Sequence, residues 1–411
     1  MTTPRYSPEM RLDVAGRPAP AALREAVVQV SCETGIGGEA DRLELALANE
    51  GLRWLDHRLF ALDTPVVLAL GYVPREPQVL FSGQVTGTEA EFPADGVPVL
   101  RVTAQDRRTR LADASPARWF AAPLPKLGAL PVPDVLVAPY LALEHGLVPS
   151  MDRLGAVLSA ALTAADVAGS AEDPSMRQRV VRHQHSKNTL DFLKGIAAEN
   201  GWDLVMEHDV DPRGFVLRLM SPEAHLRPDA VLRYGESLAE FSPRVSSVGQ
   251  VAKISLRVWR PEVRLELTVS VGYDWDRQTL SIEVAPGFGL PGGLPGTSFL
   301  IADEPVTLSS APRLLVAKLL PMLNRRTTAK GSCPGDPRVR AGRVLRVEGV
   351  GETFGGLWRV AAAQHVLDAD GYRTSFDLRK EIWFDAIPKT AQGAVRIQGG
   401  LLRPSSSASP A

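Results

Sequence analysis

The chain has 411 residues, of which 45% are hydrophobic and 23% are charged, so it has enough apolar material for two or three globular domains. Its 46 Lys and Arg residues balance 47 Asp and Glu residues, and a net charge of −1 gives no general attraction to nucleic acid or to anionic membranes. No apolar run reaches the roughly 18 residues of a spanning helix, and the N-terminus lacks the apolar core of a secretory signal. We therefore expect no membrane insertion and no recognition of a nucleic-acid sequence.

The first region, residues 1–110, is predicted to be a small β-barrel domain. Apolar residues alternate with polar ones, which is typical of strands that have one buried face. The Asp95-Gly96 pair between the last two predicted strands is a strong hairpin signal. The predicted strands are 10–16, 25–33, 42–49, 64–72, 78–92 and 97–106.

Residues 111–240 are predicted to form a middle α+β region. Five prolines exclude a single helix over 123–140. The other predicted elements are helices at 141–149 and 151–169, a loop at 170–179, and a hairpin over 202–221 that turns at 211–214.

The clearest helix signal in the chain covers residues 188–200. Apolar residues recur at a spacing of three or four between Leu190 and Ala197, which predicts one buried helix face. Asn188 or Thr189 is suited to cap the N-terminus, and Gly201 stands where a C-terminal glycine belongs.

Residues 241–390 are predicted to form a second β-barrel domain, with a helix at 310–324. Ser310 is a candidate cap for that helix, and Pro321 is expected to kink or end it. The remaining expectations are long strands over 245–285, a glycine-proline loop at 287–296, β structure over 338–384, and a flexible tail at 391–411.

The two end regions share a sequence pattern. In each, a strand ends at glycine, an aromatic–x–Gly motif precedes a second strand, and an Asp-Gly pair precedes a third; the pairs are Asp95-Gly96 and Asp370-Gly371. Either the same small β fold occurs twice, or two ordinary meanders look alike. The predicted fold class is mainly β with inserted α segments (α+β), with two similar small β-barrel domains and a middle α/β region.

The sequence contains no recognisable cofactor or metal motif. The glycine-rich stretches 35–38, 287–296 and 349–356 contain no Gly-Lys-Ser/Thr, and a strand pattern follows Gly356, so turn glycines are expected instead of a phosphate loop. Cys32 and Cys333 have neither zinc-ligand nor disulfide-framework spacing. We therefore expect no cofactor.

Histidine pairs and arginine runs have ordinary structural explanations. His183 and His185 would share a face of a strand, but no acidic or cysteine cluster completes a metal site. His365 lies among apolar strand residues and is expected to be hydrogen-bonded in a core or interface. The run Arg107, Arg108 and Arg110 is typical of a solvated face, with an acidic partner patch as the alternative.

Enzymatic chemistry has one candidate. Asp274 and Asp276 flank Trp275, and two carboxyls beside an aromatic ring suit glycoside hydrolysis, although acids at this spacing more often decorate a turn. No GxSxG nucleophile motif is present. We assign no catalytic, cofactor-binding or metal-binding residue and predict that the chain is not an enzyme.

The segment from Gly331 to Lys380 resembles the C-terminal signature of the phage late control gene D family. These are hub proteins of contractile phage tails, related to the hub part of VgrG spikes. The matching features are Pro334-Gly335-x-Pro337, Ala341-Gly342, Gly349-x-Gly351, Gly356-x-Trp358-x-Val360, His365 and Gly371-Tyr372-x-Thr374-x-Phe376.

Further matches lie earlier in the chain and in the family's order. Those resembling its first barrel and middle helix are Gly71-Tyr72, Leu80-Phe81-x-Gly83, Val102-x-Ala104-x-Asp106, Leu190-Asp191-Phe192-Leu193 and Gly201-Trp202. Two departures are a longer segment at 150–180 and a C-terminus without an OB domain or β-helix, so the spike is expected to be a separate protein.

The resemblance implies a homotrimer at the centre of a baseplate, joining a hexameric inner tube to a trimeric spike. Its implied partners are the inner tube protein, the spike protein and baseplate wedge components. Two barrels in each of three chains give six similar units, which would let a trimer match a hexamer. Exposed strand edges would then pair with neighbouring subunits or with the tube. Assembly is expected in the bacterial cytoplasm, within a phage tail or tail-like particle.

Two other functions are compatible with the residues. One is a wall-degrading glycoside hydrolase carried on a tail, supported by Asp274 and Asp276. The other is a carbohydrate-binding or receptor-binding β module, in which exposed tryptophans stack on sugars. The candidate tryptophans are Trp54, Trp259, Trp275 and Trp358, for which a place in a barrel core is the alternative.

Overall fold

A computed structural model of the chain describes residues 7–113, 115–124, 128–172, 181–210, 215–246, 253–260, 265–274, 279–286, 298–300 and 311–393. Strands predominate, which confirms the mainly β class with inserted α segments. The helices are α1 (Ala21–Ala26), α2 (Asp134–Glu144), α3 (Arg153–Glu172), α4 (Thr189–Asn200), α5 (Ala311–Leu323) and α6 (Gly351–Phe354). Among the described residues, none of these helices is both long and apolar enough to cross a bilayer.

The strands fall into two end groups and a middle group. The first group is β1 (Pro8–Val14), β2 (Arg17–Pro18), β3 (Val27–Gly35), β4 (Arg42–Ala48), β5 (Pro65–Tyr72), β6 (Gln78–Glu91) and β7 (Val99–Gln105). The middle group is β8 (Arg118–Leu124), β9 (Gly128–Pro131), β10 (Val148–Met151), β11 (Arg182–Gln184), β12 (Asp203–Glu207) and β13 (Val216–Met220).

The last group contains β14 (Ala230–Arg233), β15 (Glu240–Val245), β16 (Lys253–Arg260), β17 (Leu265–Asp274), β18 (Thr279–Pro286), β19 (Ser298–Leu300), β20 (Thr327–Pro334), β21 (Val344–Glu348), β22 (Gly356–Asp368) and β23 (Gly371–Arg379). Strands β16 to β19 form a sheet of their own, in the order β18–β17–β16–β19. The hairpin predicted over 202–221 is confirmed as the antiparallel pair β12–β13.

One sheet of 13 strands connects the two ends of the chain. Its order is β15–β20–β23–β22–β3–β4–β7–β6–β5–β1–β2, with β21 beside β22 and β14 beside β21. Strand β3 from the N-terminal region pairs antiparallel with β22 from the C-terminal region. The two similar units are therefore joined edge to edge through a continuous backbone ladder.

The two end units have the same strand order. The antiparallel series β5–β6–β7–β4–β3 recurs as β21–β22–β23–β20–β15. The second strand of each series carries a bulge at the same place, between Val85 and Gly87 in β6 and between Val360 and Ala362 in β22. A bulge is a specific backbone feature, so its recurrence confirms the internal repeat.

Backbone hydrogen bonds beside the two bulges fix the alignment of the repeat. The N–H of Val85 donates to the carbonyl of Thr64 at 2.9 Å, and the N–H of Val360 donates to that of Arg343 at 2.9 Å. Val85 therefore corresponds to Val360.

Two details of the predicted correspondence between the end regions were wrong. The aromatic–x–Gly motifs are offset by two residues, because the structural counterpart of Gly83 is Trp358 instead of Gly356. The hairpins are present, but Asp95-Gly96 lies within the longer connection 92–98. The second hairpin turns at 369–370, and Gly371 begins β23 with a φ of 110°.

Three helix and strand boundaries differ from the prediction. Helix α2 begins at Asp134 instead of 141 and contains Pro139, which sacrifices one backbone hydrogen bond without ending the helix. Helix α3 continues to Glu172, into the predicted loop. The strand predicted from residue 25 begins at Val27, because the short helix α1 precedes it.

Helix α4 confirms the clearest sequence signal. The Asn188 side chain accepts a hydrogen bond from the Asp191 N–H at 2.7 Å, and Gly201 follows in the left-handed conformation with a φ of 69°. Helix α5 is also confirmed and continues past Pro321 to Leu323. The proposed cap Ser310, the turn at 211–214, the loop at 287–296 and the tail from 394 lie outside the described residues.

Three hydrophobic clusters correspond to the first unit, the middle region and the second unit. The first unit packs around Leu45 and Phe81, the middle region around Leu193 and Leu217, and the second unit around Trp358. The domain boundaries at 110 and 240 remain a prediction, and β14 at Ala230–Arg233 already belongs to the second sheet unit.

Candidate assembly interface

The junction inside the chain shows how one unit meets the next. Strand β3 pairs with the second half of β22, so that Glu33 lies opposite Gln364 and Cys32 opposite His365. The Gln364 amide donates to the Glu33 carboxylate at 3.0 Å and to the Ser31 hydroxyl at 3.1 Å. The junction therefore combines a backbone ladder with polar side-chain pairs on its outer face.

Strand β15 is the counterpart of β3 and lies at the end of the sheet. It pairs with β20 on one side, and no described strand pairs with its other side. The Ser246 N–H donates to the Arg326 carbonyl at 3.0 Å, so even-numbered residues point their backbone groups toward β20. Phe241, Pro243 and Val245 consequently direct theirs outward.

The second half of β6 is the counterpart of the β22 segment that binds β3. Strand β5 pairs with β6 only from Gln78 to Gln84, and β7 pairs with one side of the segment beyond. Within the described residues, the other side has no strand partner after Val85. Phe92, just past the strand, has 60% of its surface exposed.

The middle region exposes apolar side chains on two helices. On α2 they are Leu136, Tyr140 and Leu143, and on α3 they are Leu154, Val157 and Leu158. In each helix the spacing of three or four residues puts the three side chains on one face. Such faces are typical of contact surfaces, because a solvated helix face is normally polar.

A buried charge cluster connects the first unit to the middle region. The Arg108 guanidinium is completely buried and forms ion pairs with Asp41 at 2.6 Å and Asp106 at 2.7 Å. His208, just after β12, contacts the Asp41 carboxylate through Nε2 at 2.9 Å. Its Nδ1 accepts a hydrogen bond from the Ser82 N–H at 3.1 Å, so Nε2 is protonated and donates to the Asp41 carboxylate.

The same cluster sets the charge of Asp41. Burial by itself would raise the pKa of this carboxyl, but the charge of Arg108 and the hydrogen bond from His208 outweigh it and hold the pKa below its usual value. Asp41, Asp106 and His208 bring their ligand atoms as close together as metal ligands do. Arg108 and backbone N–H groups already occupy the two carboxylates, so the arrangement fits an internal salt bridge better than a cation.

A second buried cluster connects the second unit to the middle region. Arg359 is completely buried and pairs with Glu381 at 3.0 Å. It also donates to the carbonyls of Pro222 and His225, both at 2.8 Å. Both sheet units are thus fixed to the middle region by a fully buried arginine.

His365 is a buried core histidine, as its sequence context predicted. Its Nε2–H donates to the Val339 carbonyl at 2.9 Å, and Nδ1 accepts from the Tyr372 hydroxyl at 2.9 Å. Burial lowers the pKa of the imidazole to about 4, since the charged form would lose its hydration. The ring is therefore neutral and structural.

The arginine run is not a uniformly solvated face, because Arg108 is buried while Arg110 is exposed. Arg108 lies in the buried cluster described above, which overturns that interpretation for this residue. Arg107 packs over the Phe215 ring at 3.5 Å, and Arg110 bonds the Gln84 side chain at 2.9 Å. The basic run by itself does not indicate this burial, because the partner Asp41 lies far from Arg108 along the chain.

The other candidates that the structure describes are not brought together into a site. His183 lies in β11 with its ring 4.7 Å from that of Trp119, while His185 follows the strand. Trp54 and Trp358 are buried in cores, which excludes sugar stacking for these two. The side chains of Trp259 and Asp274, and residues Trp275 and Asp276, lie outside the described part of the chain.

The glycine-rich stretches contain turn glycines, as predicted, where the structure describes them. Gly37, Gly38, Gly349 and Gly351 have positive φ values, as expected of turn glycines. Cys32 and Cys333 are both buried.

Comparison with known proteins identifies the fold. The sequence matches no protein-family profile and no curated protein sequence. The fold, in contrast, is shared with solved phage tail proteins and with a component of a type VI secretion system. The resemblance to tail hub proteins noted in the sequence is therefore confirmed at the level of the fold.

Three solved structures illustrate the similarity. The 43 kDa tail protein of prophage MuSo2 from Shewanella oneidensis has a TM-score of 0.59 and 11% identity, over 92% of this chain and 100% of that one. A tail protein from Neisseria meningitidis MC58 has a TM-score of 0.57 and 12% identity, over 95% and 99% of the two chains. The E. coli c3393 protein, a type VI component with structural similarity to T4 tail proteins gp27 and gp5, has a TM-score of 0.54 and 10% identity, over 89% and 76%.

Proposed function

We propose that this chain is the structural hub of a contractile tail or injection-system baseplate. Three copies would form a ring that joins a hexameric inner tube to a trimeric spike. The observation that carries the proposal is the duplicated five-strand unit, whose two copies are joined edge to edge through β3 and β22. A chain with two such units needs only three copies to present six.

The middle region gives the proposed ring its threefold character. Unlike the sheet units, it occurs once in each chain, so a trimer would present three copies of it. The exposed apolar faces of α2 and α3 suit contacts with the spike or with baseplate wedge proteins. The six sheet units would face the inner tube protein.

The proposed role is structural instead of enzymatic. Two fully buried arginines, Arg108 and Arg359, are paired with buried carboxylates, as in a fixed scaffold. The protein would be assembled in the bacterial cytoplasm as part of a phage tail or a tail-like particle.

Light scattering after size-exclusion chromatography tests this function. We expect a mass of three times the 44.3 kDa chain, and co-elution with the inner tube protein when the two are expressed together. A stable monomer that also fails to bind the tube protein would contradict the proposal.

A further inference from the structure

The internal repeat specifies a contact between copies of the chain. Since Val85 corresponds to Val360, the β6 residues Thr88, Glu89 and Ala90 correspond to the β22 residues that pair with β3. In the same way, the pairing of β15 with β20 matches the pairing of β3 with β4. Each partner of the β3–β22 junction therefore has a counterpart with one side that pairs with no strand among the described residues.

These two counterparts cannot meet within one chain. Six strands of the sheet separate β15 from β6, namely β20, β23, β22, β3, β4 and β7. The partner that fits β15 is thus the β6 segment of a second copy.

We propose that β15 of one copy pairs antiparallel with the second half of β6 in the next copy, with Arg244 opposite Glu89. This inference rests on the proposed trimer and names its interface. The register follows from the chain's own junction, in which the equivalent residues Glu33 and Gln364 lie opposite each other.

The charges and apolar side chains agree with this register. Arg244 and Glu89 are exposed and form no ion pair with any described residue, and across strands they become an opposite-charge pair. The register also sets Phe92 beside Phe241, where the chain's own junction sets Leu367 beside Val30. Phe92 is 60% exposed in the single chain, so pairing would cover it.

The backbone groups agree as well. The Asn49 N–H donates to the Pro98 carbonyl at 2.7 Å, so even-numbered β7 residues face β4 and odd-numbered ones face β6. Thr88 and Ala90, which lie opposite Val102 and Leu100, therefore point their backbone groups away from β7. These are the groups that the outward-facing Val245 and Pro243 would meet.

Pro243 limits this edge to a selected partner. It has no N–H, so the outward side of β15 offers donors only at Phe241 and Val245 while keeping its carbonyls. A proline on an open edge disfavours indiscriminate strand addition, and side-chain complementarity then selects the partner.

Disulfide trapping tests the register directly. Opposed residues of an antiparallel pair lie within the Cα distance that a disulfide spans. We expect the double variant Glu89→Cys with Arg244→Cys to form covalent dimers and closed trimers on oxidation, seen on non-reducing denaturing gels. The control Glu89→Cys with Lys330→Cys places the second thiol one strand further in, on β20, and should not cross-link.

Charge reversal provides a second test that needs no disulfide. Arg244→Glu and Glu89→Arg should each weaken trimer formation by about tenfold, because like charges then face each other, and the double reversal should restore it. Lys330→Glu reverses a charge that is also exposed, but on a strand paired on both sides, and should leave the trimer unchanged.

The outcomes separate this inference from the proposed function. A wild-type trimer whose matched cysteines do not cross-link, or whose double reversal does not recover, overturns the strand pairing and leaves the hub proposal standing. A wild-type protein that is monomeric and does not bind the tube protein overturns both the strand pairing and the hub proposal. Open-ended polymers from the cysteine pair would contradict ring closure. If the cysteine variant loses its far-UV circular dichroism signal and is therefore unfolded, the charge-reversal variants decide whether the strand pairing is correct.

Discussion

At the scale of single residues, two buried arginines connect the sheet units to the middle region. Arg108 ties the first unit to His208 through Asp41, and Arg359 ties the second unit to the backbone at Pro222. Fully buried ion pairs add little net stability compared with a well-packed apolar core. Their effect is to fix geometry, because any other docking would leave a buried charge without its partner.

Removing one of these charges should therefore be costly. Arg108→Met leaves Asp41 and Asp106 buried without their cation and should lower the free energy of unfolding by about 3–5 kcal/mol, measured by urea denaturation. Arg110→Met is the matched control, since its exposed guanidinium bonds only Gln84 among the described residues, and it should change stability by less than about 0.5 kcal/mol. Equal effects of the two variants would contradict the structural role of Arg108.

His365 should make stability depend on pH. Its pKa is about 4 in the folded chain and 6.5 without burial, so the unfolded chain takes up the proton first as the pH falls. The stabilisation by the neutral ring is complete above pH 6.5 and is lost progressively down to pH 4, with a loss of about 2 kcal/mol by pH 5.

The variant His365→Gln isolates this effect. It keeps an amide donor and an acceptor for Val339 and Tyr372 but does not titrate, so its stability should fall less between pH 7 and pH 5. Urea denaturation at the two pH values measures the difference. Parallel pH profiles for wild type and variant would show that the histidine does not titrate as the burial requires.

At the scale of residues, the sequence predicts whether a side chain is buried better than it predicts which residues it contacts. The apolar neighbours of His365 were enough to predict a hydrogen-bonded core residue. The short basic run predicts a solvated face for Arg108, and only the pairing of β4 with β7 brings Asp41 beside Asp106 and Arg108. Asp41 immediately precedes β4 and Asp106 immediately follows β7, and these positions are the sequence signal that could have indicated the buried cluster.

At the scale of elements, local patterns were reliable and long-range pairing was not. Alternation located the strands of both units, and the spacing of apolar residues located α4. The joining of β3 to β22 brings together residues more than 300 positions apart, such as Ser31 and Gln364, and no local signal encodes that pairing. The five prolines of 123–140 predict an irregular segment, but the structure accommodates Pro139 within α2, which begins at Asp134 instead of 141.

The cap of α4 gives a direct test of local encoding. Asn188→Ala removes the acceptor for the Asp191 N–H and should destabilise the chain by about 1 kcal/mol in urea denaturation. Asn188→Asp keeps a side-chain oxygen and should stay within a few tenths of wild type. A neutral effect of the alanine variant would show that the helix is held by its apolar face alone.

At the scale of the whole molecule, the two open edges of the sheet are different. Each chain presents the outer side of β15 at one end and the open side of β6 toward the other, so copies would associate head to tail. Head-to-tail contacts close into a ring only when the rotation between successive units divides a full turn. The β3–β22 junction sets that rotation within the chain, and the proposed contact between chains repeats it.

Electron microscopy of the purified protein tests the central claim most directly. The duplicated unit predicts particles of three chains around one axis, with six similar sheet units in a near-sixfold ring and a threefold face formed by the middle regions. Particles in which the two units of each chain do not lie around a common axis, or rings built from six chains, would contradict the account.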